Sequence, residues 1–188
     1  LISLLITPFI IARLGIIGFG VWALASAFAN YVRMIDMGIS ISLIKFVAEY
    51  KAKDDSEGIN ILINIFLVIY LVLGIISFIV FMGLKGWIIA NFFSEASEFR
   101  SDLNFVLIGV ILIFLVNLIS GLFISLLSGL QRMDLIGIAT VVSSVINGIG
   151  VFLALEEGYG LRGLVIIKII SSLCLLYTSD AADDLLCV

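Results

Sequence analysis

Residues 59–83 read INILINIFLVIYLVLGIISFIVFMG, 25 residues without a charged side chain. About 20 apolar residues of helix cross a hydrocarbon core of about 30 Å. Ile, Leu, Phe and Val each favour insertion by about 0.3–0.6 kcal/mol at mid-helix, so this run belongs in lipid. A chain in lipid must satisfy its own backbone hydrogen bonds, which leaves a helix or a closed barrel. The run does not alternate between apolar and polar residues, as barrel strands do, so it is a helix.

The rest of the chain repeats the pattern. Hydropathy divides it into spans at 1–12, 17–44, 59–83, 103–129, 135–155 and 162–177, the first and last incomplete. Hydrophobic residues make up 63% and charged residues 13%, with a mean hydropathy of +1.33, against about 45–50% and 25% in soluble domains. The fold class is therefore all-α, a polytopic transmembrane helix bundle of about six spans. The connectors EYKAKDDSEG, SEASEFRSD, QRMD and EEGYGLR carry most of the charges and are too short to be domains. The net charge of -4 rests on few groups, and no basic patch with interleaved aromatics marks a nucleic-acid partner.

The chain opens on LISLLITPF, an apolar segment already under way, which reads as a clipped membrane helix and not a signal peptide. At the other end, CLLYTSDAADDLLCV (174–188) holds both cysteines and Asp180, Asp183 and Asp184. It resembles the translation of a transposon-derived sequencing adapter. Residues 1–173 are thus expected to form the membrane unit, with 174–188 a non-native tail that does not extend the sixth span. The cysteines then say nothing about redox compartment. Lys and Arg in short loops normally set orientation, but Lys45, Lys51, Lys53 and Arg132 on one side balance Arg13, Lys85, Arg100 and Arg162 on the other. Clustering of the three lysines leans toward that side being cytoplasmic.

At 100° per residue, Ser26, Asn30, Arg33, Asp36 and Ser40 of the second span fall within about 120°. Asn60, Asn64 and Ser77 group on the third span, with Gly74 beside them. Asn117, Ser120, Gly121 and Ser128 do so on the fourth, and Thr140, Ser143, Ser144 and Asn147 on the fifth. Small and polar residues help membrane helices pack, which accounts for Ser, Thr and Gly taken singly. Four polar strips can also line one cavity. Arg33 and Asp36 weigh further toward a cavity, because a charge at mid-helix costs about 2.5–3.5 kcal/mol unless it meets water or a partner. Spaced i, i+3, they also partly neutralise each other, so a structural ion pair stays open. Lys168 in the last span either faces the same cavity or snorkels to an interface.

The run TPFIIARLGIIGFGVWALASAFANYVRMIDMGISISLIKFVAEYKAKDD resembles the opening helices of Wzx-like polysaccharide-transporter flippases, within the multidrug/oligosaccharidyl-lipid/polysaccharide (MOP) superfamily. The matching features are the proline and ARLG after the first helix, FGVWAL opening the second, DMGIS late in it, and KFVAEYKAKDD beyond it. SGLFISLLSGLQRMD and EEGYGLRGLV resemble the fourth helix with its loop and the lead-in to the sixth, so the likeness covers 1–173. This resemblance implies a multi-pass protein of the bacterial cytoplasmic membrane, with about 12 to 14 helices in two lobes around a central cavity. The present chain would be most of the first lobe. It would move undecaprenyl-pyrophosphate-linked oligosaccharides by alternating access, with the Lys45–Lys53 loop cytoplasmic. Arg33 is the residue carried over as a pyrophosphate or acidic-sugar contact, and Arg13 a weaker one. The full candidate set is Arg33, Asp36, Asn30, Arg13, Asn64, Asn117, Ser143, Asn147 and Lys168. Expected partners are the lipid-linked oligosaccharide, membrane lipid, and polysaccharide polymerases and glycosyltransferases. No cofactor or metal is expected, and coupling to protons or sodium stays open.

Two other classes compete. A drug/cation antiporter of the same superfamily would use cavity carboxylates, for which Asp36 qualifies. A membrane-embedded glycan polymerase would need acids, bases or metal ligands. The chain has no histidine and no close carboxylate pair within the spans, so it is not expected to be an enzyme.

Overall fold

The computed structural model describes the backbone of residues 2–92 and 100–184, and the side chains of 7–24, 26–27, 38–91 and 102–178. Five helical elements follow one another: α1 (Ile2–Ala52), α2 (Ser56–Phe92), α3 (Arg100–Gly129), α4 (Met133–Glu156) and α5 (Gly160–Asp184). No strand occurs among the described residues.

At 51 residues, α1 would be about 77 Å long if straight, more than twice the hydrocarbon thickness. It is not straight. Gly15 interrupts it at φ 75°, ψ 172°, a conformation essentially confined to glycine. Two limbs result, α1a (2–14) and α1b (16–52), which correspond to the first and second expected spans. Phe9 stacks on Phe152 and Arg13 pairs with Glu156, so α1a runs alongside the C-terminal half of α4 and in the same direction. α1b runs back: Val21 lies in one apolar cluster with Leu103 at the start of α3, whereas Leu43 and Val47 lie in another with Leu126 near its end.

The helices exceed the expected spans because hydropathy reports only the part in hydrocarbon. Charged residues such as Glu49, Lys51 and Lys85 remain helical beyond it. The short turns need particular chemistry. Asp55 caps α2, its carboxylate accepting the Gly58 N–H at 2.8 Å. Between α4 and α5, Gly158 takes φ 78° while the Tyr159 N–H returns to the Ala154 carbonyl at 3.0 Å, closing the helix end. At the far end α5 stays helical to Asp184, past residue 173, where the membrane unit was expected to end. TSDAADD contains neither Gly nor Pro to stop it.

α3 is the hub, packed against α1, α2 and α5, and α4 flanks α5. Apolar burial gives little drive for association within lipid, so close packing must hold the helices together. Glycines let backbones approach. A Cβ added at Gly109 would collide with Val165 of α5, at Gly150 with Ile167, and at Gly129 with Val47 and the Ile44 carbonyl of α1. The opposite faces are apolar and exposed, including Ile65, Val72, Ile75 and Ile79 on α2 and Val141, Val145 and Ile149 on α4. Such faces suit lipid. Among the described residues, five helices are long and apolar enough to cross a membrane, and the chain is a multi-pass membrane protein.

Candidate functional site

Ion pairs fix which helix ends lie together. Arg162 at the start of α5 meets Asp102 at the start of α3 at 2.7 Å, and Arg13 at the end of α1a meets Glu156 at the end of α4 at 2.6 Å. The starts of α3 and α5 and the end of α4 therefore share one end of the bundle. The turns 53–55 and 130–132 lie at the other, with Lys45, Lys51, Lys53 and Arg132, the grouping expected from the sequence.

One stripe on each of three adjacent helices changes character from end to end. On α3, Val106, Val110, Asn117, Gly121, Ile124 and Ser128 fall within about 60° at 100° per residue. Val106 and Val110 are buried, but from Asn117 onward the stripe is half-buried. On α5, Leu161 and Leu164 are buried while Lys168 and Leu175, on the same stripe, are half-buried. On α4, which runs the other way, Val151 and Leu155 are buried, Ser144 is half-buried and Thr140 exposed. Given the Gly109–Val165 and Gly150–Ile167 contacts, helix geometry turns these stripes to the same side of the α3–α5–α4 layer. That inner face is apolar and closed at the Arg13 end, and polar and accessible toward the Arg132 end.

The candidate residues separate on this frame. Asn117 and Lys168 lie on the inner face, and Asn117 has no side-chain hydrogen bond among the described residues. Ser143 and Asn147 instead turn to α5: the Ser143 hydroxyl donates to the Ser171 carbonyl at 3.0 Å, and the Asn147 amide to the Ser171 hydroxyl at 3.1 Å. The Ser171 hydroxyl itself donates to the Ile167 carbonyl. This interhelical contact is the packing role that small polar residues have in membranes. Asn64 is exposed on α2 and donates to the Asn60 carbonyl one turn back at 3.0 Å. Ser120, Ser125 and Ser128 likewise bond their own helix. Arg13 stands at the end of the bundle where α3 and α5 start, engaged with Glu156 and 5.6 Å above the Phe9 ring, and Lys168 lies eight residues into α5 from that end. Asn30, Arg33 and Asp36 lie on α1b by their backbone but outside the residues whose side chains are described.

Sequence reading did not single out Ser171 or Ser172, which are 2% and 4% exposed. The adjacent serines of KIISSL, a polar pair inside an apolar run, were the available signal. At the Lys45–Lys53 end, Lys53 donates to Glu49 at 2.7 Å. This bond and its charge hold the Glu49 carboxyl below its ordinary range and raise Lys53. No group of three or more metal-ligating side chains occurs among the described residues. The site can offer amide, hydroxyl and ammonium donors, which suit an anionic or hydrated ligand.

A family model described as polysaccharide biosynthesis protein matches residues 1–179. The chain belongs to the polysaccharide biosynthesis protein family. Comparisons with curated proteins and with solved structures find no match to it. The family match covers every helix carrying the inner face, and both it and α5 continue beyond residue 173.

Proposed function

We propose that this chain is one lobe of a flippase that carries lipid-linked oligosaccharides across the bacterial cytoplasmic membrane. The observation that carries the reading is the inner face. Three neighbouring helices of an otherwise apolar bundle present Asn117, Ser144 and Lys168 to one side, away from their lipid-suited faces. A diphosphate and a hydrated glycan cannot enter hydrocarbon unaided, since each buried polar group without a partner costs several kcal/mol. An ammonium and an amide on the inner face replace water around them, while the polyprenyl tail stays in the bilayer. Arg33, with its planar two-toothed fork, is the second phosphate contact, and Asp36 keeps it charged and oriented while no cargo is bound.

In this reading the Lys45–Lys53 end is cytoplasmic, so the polar half of the inner face receives cargo from the side where lipid-linked repeat units are built. The activity is transport without a covalent step, driven by cargo or by a coupled proton or sodium ion. Glycosyltransferases supply the cargo and a polymerase consumes it. Glycan export in cells tests this. Lys168→Ala and Arg33→Ala should abolish export at near-normal protein level, because removing a membrane charge does not hinder insertion. Arg33→Lys should retain part of it. Full export by the Lys168→Ala, Arg33→Ala double variant would sink the proposal.

A further inference from the structure

The Arg13 end of the bundle is covered in part by α1a, which a single glycine joins to the rest of α1. Gly15 alone joins α1a to α1b, in a conformation that gives the backbone no helical continuity. Among the described side chains, Phe9, Ile10, Arg13 and Leu14 hold α1a to the bundle. Arg13 Nη2 lies 2.6 Å from Glu156 Oε1, with the two side chains 47% and 45% exposed. Phe9 stacks on Phe152 with centroids 5.0 Å apart. Ile10 enters the apolar cluster that also holds Leu103, Val106, Val110, Leu161 and Leu164. That cluster, which Val21 of α1b and Ile88 of α2 also enter, fills the inner face with apolar side chains at this end. An exposed ion pair changes a two-state population by only about two- to fivefold and weakens with salt.

We infer that α1a is a hinged strap over this end of the lobe, and that the Arg13–Glu156 pair is its latch. Releasing the pair lets α1a swing about Gly15 and admits water to the face at Val106 and Val110. The inference rests on the transport reading for the reason a closed end must open: cargo received at the polar half leaves past the strap. The strap itself can be tested without cargo.

The test uses the membrane-inserted protein with Cys174 and Cys187 changed to Ser and Val106→Cys as a reporter, labelled by a membrane-impermeant thiol reagent added on the Arg13 side. Arg13→Gln and Glu156→Gln should each speed labelling about two- to fivefold, and the exchanged pair Arg13→Glu, Glu156→Arg should slow it again. Phe9→Cys and Phe152→Cys joined by a short reducible bifunctional reagent before labelling should drop it to background until reductant is added. Unchanged labelling in the single variants, or labelling that ignores the cross-link, overturns the strap. If the charge variants fail to accumulate, the cross-link result decides alone. Labelling that responds as expected in a protein that moves no glycan would leave the strap standing and remove the transport reading.

Discussion

Replacing Gly129 by alanine puts a methyl group where the bundle has no room. An ideal Cβ there stands 2.7 Å from Val47 Cβ, 2.8 Å from Val47 Cγ1 and 3.0 Å from the Ile44 carbonyl oxygen. Val47 Cβ and the backbone oxygen cannot rotate aside; Val47 Cγ1 turns with χ1 but leaves Cβ in place. Ordinary contact begins near 3.4 Å, so α1 and α3 must part locally by about 0.7 Å, the difference from 2.7 Å. Leu43, Val47 and Leu126, all 0% exposed, would loosen with them. Overpacking of this kind costs about 1–3 kcal/mol, and the gain from removing a helical glycine offsets at most about 1 kcal/mol. A net loss of up to about 2 kcal/mol follows, which for a chain of this size lowers Tm by up to about 8 °C. Thermal unfolding in detergent reads it. The three atoms nearest a Cβ at Gly150 are Ile167 Cγ2, Cδ1 and Cγ1, at 2.6, 3.1 and 3.4 Å, all of which move with the side-chain torsions, so Gly150→Ala should lose less. Gly137→Ala has nothing within 4 Å and should gain up to about 1 kcal/mol. If Gly129→Ala melts at or above Gly137→Ala, glycine-mediated contact between α1 and α3 is not what holds this end of the bundle.

Three further outcomes follow from particular contacts. Asn147→Leu removes the amide bonded to Ser171 and should cost about 0.6 kcal/mol, the average for such bonds in membranes; the same loss in a Ser171→Ala background would disprove the pairing. Gly15→Ala forces a side chain into φ 75° and should cost about 1–3 kcal/mol, read as lower Tm and loss of a cysteine cross-link between positions 9 and 152. The Glu49 carboxyl is held low by Lys53, so its contribution is present above the ordinary carboxylate pKa and is lost as pH falls through its depressed value. The Tm gap between the parent and Glu49→Gln should therefore be constant near neutrality and close in acid, and a gap that widens in acid would refute the pairing.

The helices were legible because lipid demands long apolar runs, and the structure has one helical segment for each expected span, all-α as the composition required. Their ends were not, because hydropathy stops at the hydrocarbon boundary while Glu49, Lys51 and Lys85 stay helical past it. Polar strips were legible, but not their partners. Asn117 and Asn147 read alike in sequence, yet Asn147 is spent on Ser171 across a helix interface while Asn117 remains unpaired among the described residues. The difference depends on which neighbour a face meets, and α4 meets α5 through Gly150 and Ile167. Arg13 shows the same limit: its partner Glu156 is 143 residues away, beyond any local pattern.

The central claim is that the inner face carrying Asn117 and Lys168 conducts a lipid-linked glycan. Reconstitution of the full-length protein into vesicles, with a fluorescent polyprenyl-pyrophosphate oligosaccharide and an impermeant quencher outside, measures transfer between leaflets directly. The account predicts protein-dependent transfer that falls at least tenfold in Lys168→Ala, Asn117→Leu and persists in the lipid-facing variant Ile75→Ala. Transfer unaffected by the inner-face pair, or no transfer of the glycan lipid by the intact protein, would contradict it.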